Sequence, residues 1–363
     1  MIALSLSGGG SRAIAFHLGC LRALNHRGVL QKISVVSAVS GGSVIAGLYA
    51  YWNNSFEDFH ERVLTLLQRG LHQATARHLL SIKVLPRVVA TNLISRPLNT
   101  IAKCIGREPP LPRWSSRTDA LQEALHDVFG SLNLSQIGRP GLDVVFNACE
   151  LRTGTAFRFG NHSTGNWRLG EIKNNDVHVA HAIACSAAYP LFLPAFDREY
   201  IFMKDGVQQK QRVIITDGGI YDNLGITCLE PGRDPRYSLH SYAPDYIICC
   251  YAGYGQFAGK KIPFGFYSRT QAAFESVFRK AQDGSLNRLH MHKRARNING
   301  FILPYLGQQD RALPFRPSDL VQRHEVIDYP TDFAAMDVND IERLSRRGEQ
   351  LTNILLSHYC PDI

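Results

Sequence analysis

The sequence predicts an α/β fold with a mostly parallel central sheet flanked by helices. Three observations lead there. Short β-branched and apolar runs, such as Ile33 to Val39, Leu142 to Cys149, Arg212 to Thr216 and Asp245 to Tyr251, read as buried strands. Segments with apolar residues at three- and four-residue spacing alternate with them, as helices alternate with strands in a parallel sheet. Twice, at Ser7–Arg12 and at Ala38–Gly42, a strand runs into a helix through a glycine-rich turn.

In chain order, Ile2–Leu6 is a short apolar strand, and Ser11–Asn25 is a helix carried by Ile14, Leu18, Leu21 and Leu24, with Gly28 as its stop. Gly8, Gly9 and Gly10 stand at that helix's N-terminus. Bare backbone N–H groups there face one point, and the helix dipole favours negative charge. Such a turn holds a phosphate or a developing oxyanion. It lacks the Gly-Lys-[Ser/Thr] ending of a P-loop and does not match G-x-G-x-x-G. The next strand favours the oxyanion, because it stops at Ser40-Gly41-Gly42 and a helix-compatible run, Val44–Tyr51, follows at once. A serine at the apex of strand, tight turn and helix is a nucleophile elbow. The small flanking residues are Ala38 and Gly42, the first glycine of the usual pattern being relaxed to alanine. The plain alternative is a Ser-Gly-rich connection without chemistry.

Asn53–Arg117 is helical in pattern. Val63, Leu64, Leu67 and Leu71 share one face, and Leu85, Val89 and Leu93 another, while Ile105–Trp114, with three prolines, is a loop. Glu61–Arg117 contains ten Lys or Arg against two acids, so it supplies +8 of the chain's net +9. A basic, apolar segment inserted between strands suits an anionic membrane surface or another polyanion, although an ordinary helical layer on the sheet explains the spacing as well. Thr155–Phe159 pairs back on Leu142–Cys149. His178–Ala188, Tyr267–Asp283 and Val338–Leu356 are helices.

An apolar content of 45% with 20% charged residues belongs to an ordinary globular chain, and no apolar run reaches membrane-spanning length. The N-terminus enters a strand directly, without the basic and apolar regions of a signal peptide. The eight cysteines are scattered, with no C-x-x-C pair. They read as reduced core residues of a cytosolic protein, not as a disulfide or zinc framework.

Gly8-Gly9-Gly10-Ser11-Arg12, the elbow at Ser40 and Asp217-Gly218-Gly219 together resemble the patatin-like phospholipases, acyl hydrolases with a Ser–Asp dyad. Asn147–Gly154 and Ala182–Pro190 are similar to two further blocks of that family, and Tyr329–Phe333 with Ile341–Leu351 is similar to the tail of a bacterial branch. Two departures are Ser7, where the family often has aspartate, and Ala38. The resemblance implies a three-layer patatin-like fold in a single catalytic domain over residues 1–363, with the basic helical insert at about 53–130 and a C-terminal helical segment at about 329–363. It implies Ser40 as nucleophile and Asp217 as base, with Gly8, Gly9, Gly10, Ser11 and Arg12 around the oxyanion. Ala38, Gly41 and Gly42 shape the elbow, and no metal or cofactor takes part. The expected substrate is a membrane phospholipid, met peripherally at the inner membrane surface. Some bacterial members are switched on by cyclic nucleotides in anti-phage defence, so a cyclic-nucleotide activator enters the expectation. The different-class alternative is a non-catalytic lipid-binding or scaffolding protein that keeps the fold.

A histidine base in the hydrolase order would be His240, His290 or His292. None has a glycine-rich or strand-end setting, and no His pair at i, i+4 with a nearby carboxylate marks a metal site. The basic run Arg288–Arg296 reads as a solvated face or an anion patch. It lacks the interleaved aromatics of a nucleic-acid platform, so nucleic acid is not an expected partner. Nothing in the sequence fixes an oligomeric state.

Overall fold

The computed structural model describes residues 1–254 and 262–363. Strand β1 (Ile2–Leu6) passes through the glycines into α1 (Gly10–His26), and β2 (Ile33–Ala38) passes through Ser40 into α2 (Gly41–Ala50). A helical run follows: α3 (Phe56–Arg69), α4 (His72–Leu79), α5 (Leu85–Ala90), a π-helical turn at Thr91–Ser95, α6 (Arg96–Cys104) and α7 (Arg117–Phe129). Ser55 caps α3 through the Asp58 N–H, and Ser116 with Asp119 forms a capping box on α7. The chain then re-enters the sheet as β3 (Asp143–Glu150), β4 (Thr155–Gly160), β5 (Thr164–Asn166) and β6 (Gly170–Ile172). Next come α8 (Val179–Ser186), β7 (Phe196–Lys204), β8 (Val207–Asp217), α9 (Gly219–Asp222), β9 (Tyr246–Cys250), α10 (Phe266–Arg294), β10 (Gly300–Ile302), α11 (Arg323–Val326) and α12 (Val338–Tyr359).

The ten strands form one sheet in the order β10-β9-β1-β2-β3-β4-β5-β6-β7-β8, with β8 also pairing with β3. From β10 to β3 every neighbour is parallel. From β3 onward the pairs are antiparallel. The glycine turns therefore sit on a parallel half-sheet, as expected, and an antiparallel extension makes the whole sheet mixed. The β3–β4 hairpin that opens this extension was expected, but its outer part was not, because β7 and the first half of β8 carry polar residues on a solvent-facing hairpin.

β1 and β2 are buried on both faces, which is why they read as continuous apolar runs instead of alternating ones. α2 is buried along its whole length, and α1 nearly so. α12 covers the outer side of α1, tied along the edge by Arg22–Glu349 and by Arg27 to Asn353 and Ser357. Of the first face of the insert, Val63, Leu67 and Leu71 are buried and Leu64 is half-buried. The second face is different: Leu85, Val89 and Leu93 are exposed, with Leu93 at 72%. α10 runs on to Arg294, so the basic run expected to start at Arg288 begins on its last turns. Among the described residues no helix is long and apolar enough to cross a membrane.

Candidate active site

Strand β3 acts as a ruler that brings two distant residues together. β2 lies along one edge of β3 in parallel, and its last residue, Ala38, pairs with Phe146. β8 takes over that edge from the opposite direction, and its last residue, Asp217, pairs with Ala148. The two strands thus meet end to end, and the residue two beyond Ala38 reaches the level of Asp217. That residue is Ser40.

Ser40 is buried (8% exposed) and takes φ 52°, ψ −120°. A side chain held in this region costs about 1–3 kcal/mol, which the surroundings must over-determine. They do so by a chain of hydrogen bonds. The Ser40 N–H donates to Ser186 Oγ at 3.0 Å, and Ser186 Oγ donates to the Asn147 carbonyl at 2.6 Å. Asn147 Nδ2 holds Ser37 Oγ at 2.8 Å and the Ala38 carbonyl at 3.0 Å. The buried Arg158 in turn donates to Asn147 Oδ1.

The Asp217 carboxyl accepts the Gly219 N–H at 2.6 Å and interacts with the Ser40 hydroxyl. Burial pushes it up to about 7, against the opposing pull of those two hydrogen bonds. The glycines after it are needed for close approach. A Cβ on Gly218 would lie 2.6 Å from the Asn147 carbonyl carbon, and one on Gly219 would lie 2.8 Å from both Asp217 Oδ1 and Asn223 Oδ1.

The expected oxyanion residues divide. The Gly8 N–H is given to the Asn223 carbonyl at 3.2 Å and the Ser11 N–H to the Asp332 carbonyl at 2.6 Å, so neither amide faces the site. The Gly9 and Gly10 N–H groups have no partner among the described residues, and neither does that of Gly41. Gly41 packs so tightly on Gly10 that an added Cβ would sit 2.9 Å from the Gly10 nitrogen. The N-termini of α1 and α2 therefore converge, with three bare amides and two helix dipoles. Arg12 is buried and committed elsewhere. Nε donates to the Ala252 carbonyl, Nη1 to the Tyr329 carbonyl, and the guanidinium lies over the Tyr254 ring at 3.4 Å. These contacts tie the chain after α11 to the glycine turn.

None of the three candidate histidines has Ser40 or Asp217 as a partner. His240 meets the Ser163 carbonyl and is pulled down to about 4 by burial, with Arg158 adding to the shift. His290 packs against Phe301, and His292 against Asn297. Sequence reasoning did not assign Ser186, Asn147, Asn223 or the Gly41 amide a place at the site. The first two lie inside the blocks that carried the resemblance, which was the available signal.

A fold of this kind places the chain among the patatin-fold proteins. Human GIVD cytosolic phospholipase A2 superposes with a TM-score of 0.53 at 13% identity, over 98% of this chain and 58% of that one. The same human protein in complex with methyl gamma-linolenyl fluorophosphonate gives 0.51 at 14% identity, over 98% and 57%. VipD from Legionella pneumophila matches at 16% identity over 99% of this chain and 67% of that one, with a TM-score of 0.39. This chain therefore spans rather more than half the length of the human protein, and the likeness at such identities is one of fold. No curated protein matches the chain. The profile of the family described as patatin-like phospholipase matches residues 4–229, and the chain belongs to that family.

Proposed function

We propose that the protein is a serine acyl-ester hydrolase of phospholipase type, in which Ser40 attacks the ester carbonyl and Asp217 takes its proton. The observation that carries this reading is the pairing of a strained, buried serine with a carboxyl raised to about 7. A hydroxyl is a weak nucleophile without a base, and an aspartate at its ordinary value is too weak to serve near neutrality. The carbonyl oxygen, on becoming an oxyanion, would receive the Gly9, Gly10 and Gly41 N–H groups, a loss of one such donor costing about 2–4 kcal/mol in the transition state. A purely structural role for the fold would leave both the backbone strain at Ser40 and the desolvation of Asp217 without a return.

Phospholipid as the substrate class rests on family membership and on the insert. Leu80, Ile82, Leu93, Ile101 and Ile105 are all more than half exposed, and the exposed Lys83, Arg87, Arg96, Lys103 and Arg107 stand among them. Apolar side chains mixed with cations fit the interface of an anionic bilayer. A cyclic-nucleotide gate is the finer part of the reading. The exposed Lys293, Arg294 and Arg296 are candidate receiving charges, whereas Arg288 is already paired with Glu230.

Labelling by an alkyl fluorophosphonate, followed by peptide mapping, tests the nucleophile. The adduct is expected on Ser40 and absent from Ser40→Ala, while Asp217→Ala labels far more slowly. A folded chain, presented with phospholipid vesicles, that takes no label would overturn the reading. Fatty-acid release measured with and without a cyclic dinucleotide separates a gated enzyme from a constitutive one.

A further inference from the structure

Below the glycine turn, outside the hydrolytic site, three soft-metal donors meet in the core. His17 and Cys20 lie one turn apart on α1, and Cys250 comes from the end of β9. One donor atom from each lies within 4.8 Å of the other two, and all three residues are 0% exposed. The state of the imidazole follows from its partner. Nε2 lies 3.0 Å from the Ser7 carbonyl, which only accepts, so Nε2 carries the proton and Nδ1 bears the lone pair. That Nδ1 is buried with no hydrogen-bond partner. An unsatisfied polar atom in a core is costly, and here two thiols stand beside it.

We propose that His17 Nδ1, Cys20 Sγ and Cys250 Sγ form a binding site for a thiophilic d10 cation, Zn²⁺ or Cu⁺. Metal-binding histidines characteristically donate their other ring N–H to a backbone carbonyl, as His17 does to Ser7. The charge balances in a dry interior: Zn²⁺ with two thiolates and a neutral imidazole is neutral, and so is Cu⁺ with one thiolate and one thiol. Binding releases the corresponding thiol protons to solvent, two for Zn²⁺ and one for Cu⁺. No sequence spacing announces the site, because β9 brings in Cys250 from far along the chain.

The site is also coupled to the turn above it. Ser7 receives the His17 N–H, donates its own N–H to the Cys250 carbonyl at 3.1 Å, and accepts the Ala252 N–H on its hydroxyl at 2.9 Å. A bound ion would therefore fix the residue that leads directly into Gly8.

The test is independent of the hydrolytic reading. The full chain is purified from cells grown with added zinc and analysed for zinc and copper. A second portion is unfolded, stripped with a chelator and refolded with Co²⁺. Wild type is expected to carry about one equivalent of zinc or copper and to show thiolate-to-cobalt charge-transfer absorption after refolding. Cys20→Ala and Cys250→Ala are each expected to carry about tenfold less metal and to show no such band. Which element is found identifies the ion. A wild-type chain that holds neither metal and refolds without the band overturns the site, as does metal that survives in both variants. The wild-type measurement stands whether or not the variants fold.

Discussion

At the scale of single residues, the site is defined by what Ser40 and Asp217 give up. Ser40 keeps φ 52°, which glycine adopts without penalty and alanine does not. Ser40→Gly is expected to be more stable than Ser40→Ala by about 1 kcal/mol, with both inactive. Equal urea midpoints would mean that the elbow relaxes when the hydroxyl is lost. For Asp217 the sign is fixed by a folded value near 7 against 3.8 for the free side chain. Its contribution to stability is fully present below the unfolded value and is lost as the pH rises through about 7. The proposed base needs the charged form, so activity runs the other way. Turnover of a soluble ester at low concentration should climb about tenfold per pH unit below 7 and level off above it. Asp217→Asn should be inactive and should lose this fall in melting temperature between about pH 4 and pH 7. A pH profile flat from 5 to 8 would remove Asp217 as the base. Ser40 was legible in the sequence because the turn that exposes it demands small neighbours, whereas Asp217 was singled out by the resemblance. The individual amides were not: Gly8 and Gly9 look alike as letters, and only the Asn223 carbonyl distinguishes them.

At the scale of elements, the approach of Ser40 to Asp217 belongs to β3 and its two successive neighbours. Ser186 on α8 is the pin, since it accepts the Ser40 N–H and contacts Ser43 Oγ at 2.8 Å. Ser186→Ala leaves that amide buried and unpaired. The expected cost is about 1–3 kcal/mol by denaturant unfolding, together with a fall in turnover and little change in the substrate constant. Unchanged stability would show that another acceptor replaces it. The parallel strands were readable because burial on both faces makes them uniformly apolar. The β7–β8 hairpin was not read, although Asp205-Gly206 at its tip, with φ 51° and 77°, is a strong two-residue turn signal. Its strands hide behind residues such as Gln208, Gln209, Lys210 and Gln211, whose polarity follows from exposure. α10 was similarly cut short at Asp283, where the apolar spacing fades but the helix continues.

At the scale of the whole molecule, the insert around α5 and α6 mixes exposed apolar side chains with exposed cations. Changing Lys83, Arg87 and Lys103 to Glu should weaken binding to anionic vesicles by at least about tenfold at low salt, each cation near the surface being worth about 1 kcal/mol. The ratio of vesicle to soluble-ester turnover should fall with it. A ratio that stays constant would make the insert structural. The segment after α11 carries a different consequence. Tyr329 and Asp332 hold Arg12 and the Ser11 N–H, Ala334 takes the Ser11 hydroxyl, and Phe333 takes the Leu71 and His72 amides. The turn formed by the first residues is thus finished by residues more than three hundred positions later. While the chain is being synthesised, Ser40 and Asp217 emerge well before the strap that shapes the amides around them. A growing polypeptide therefore carries the proposed nucleophile and base without their finished setting, and under the proposed hydrolysis the centre would stay latent until that strap has left the ribosome.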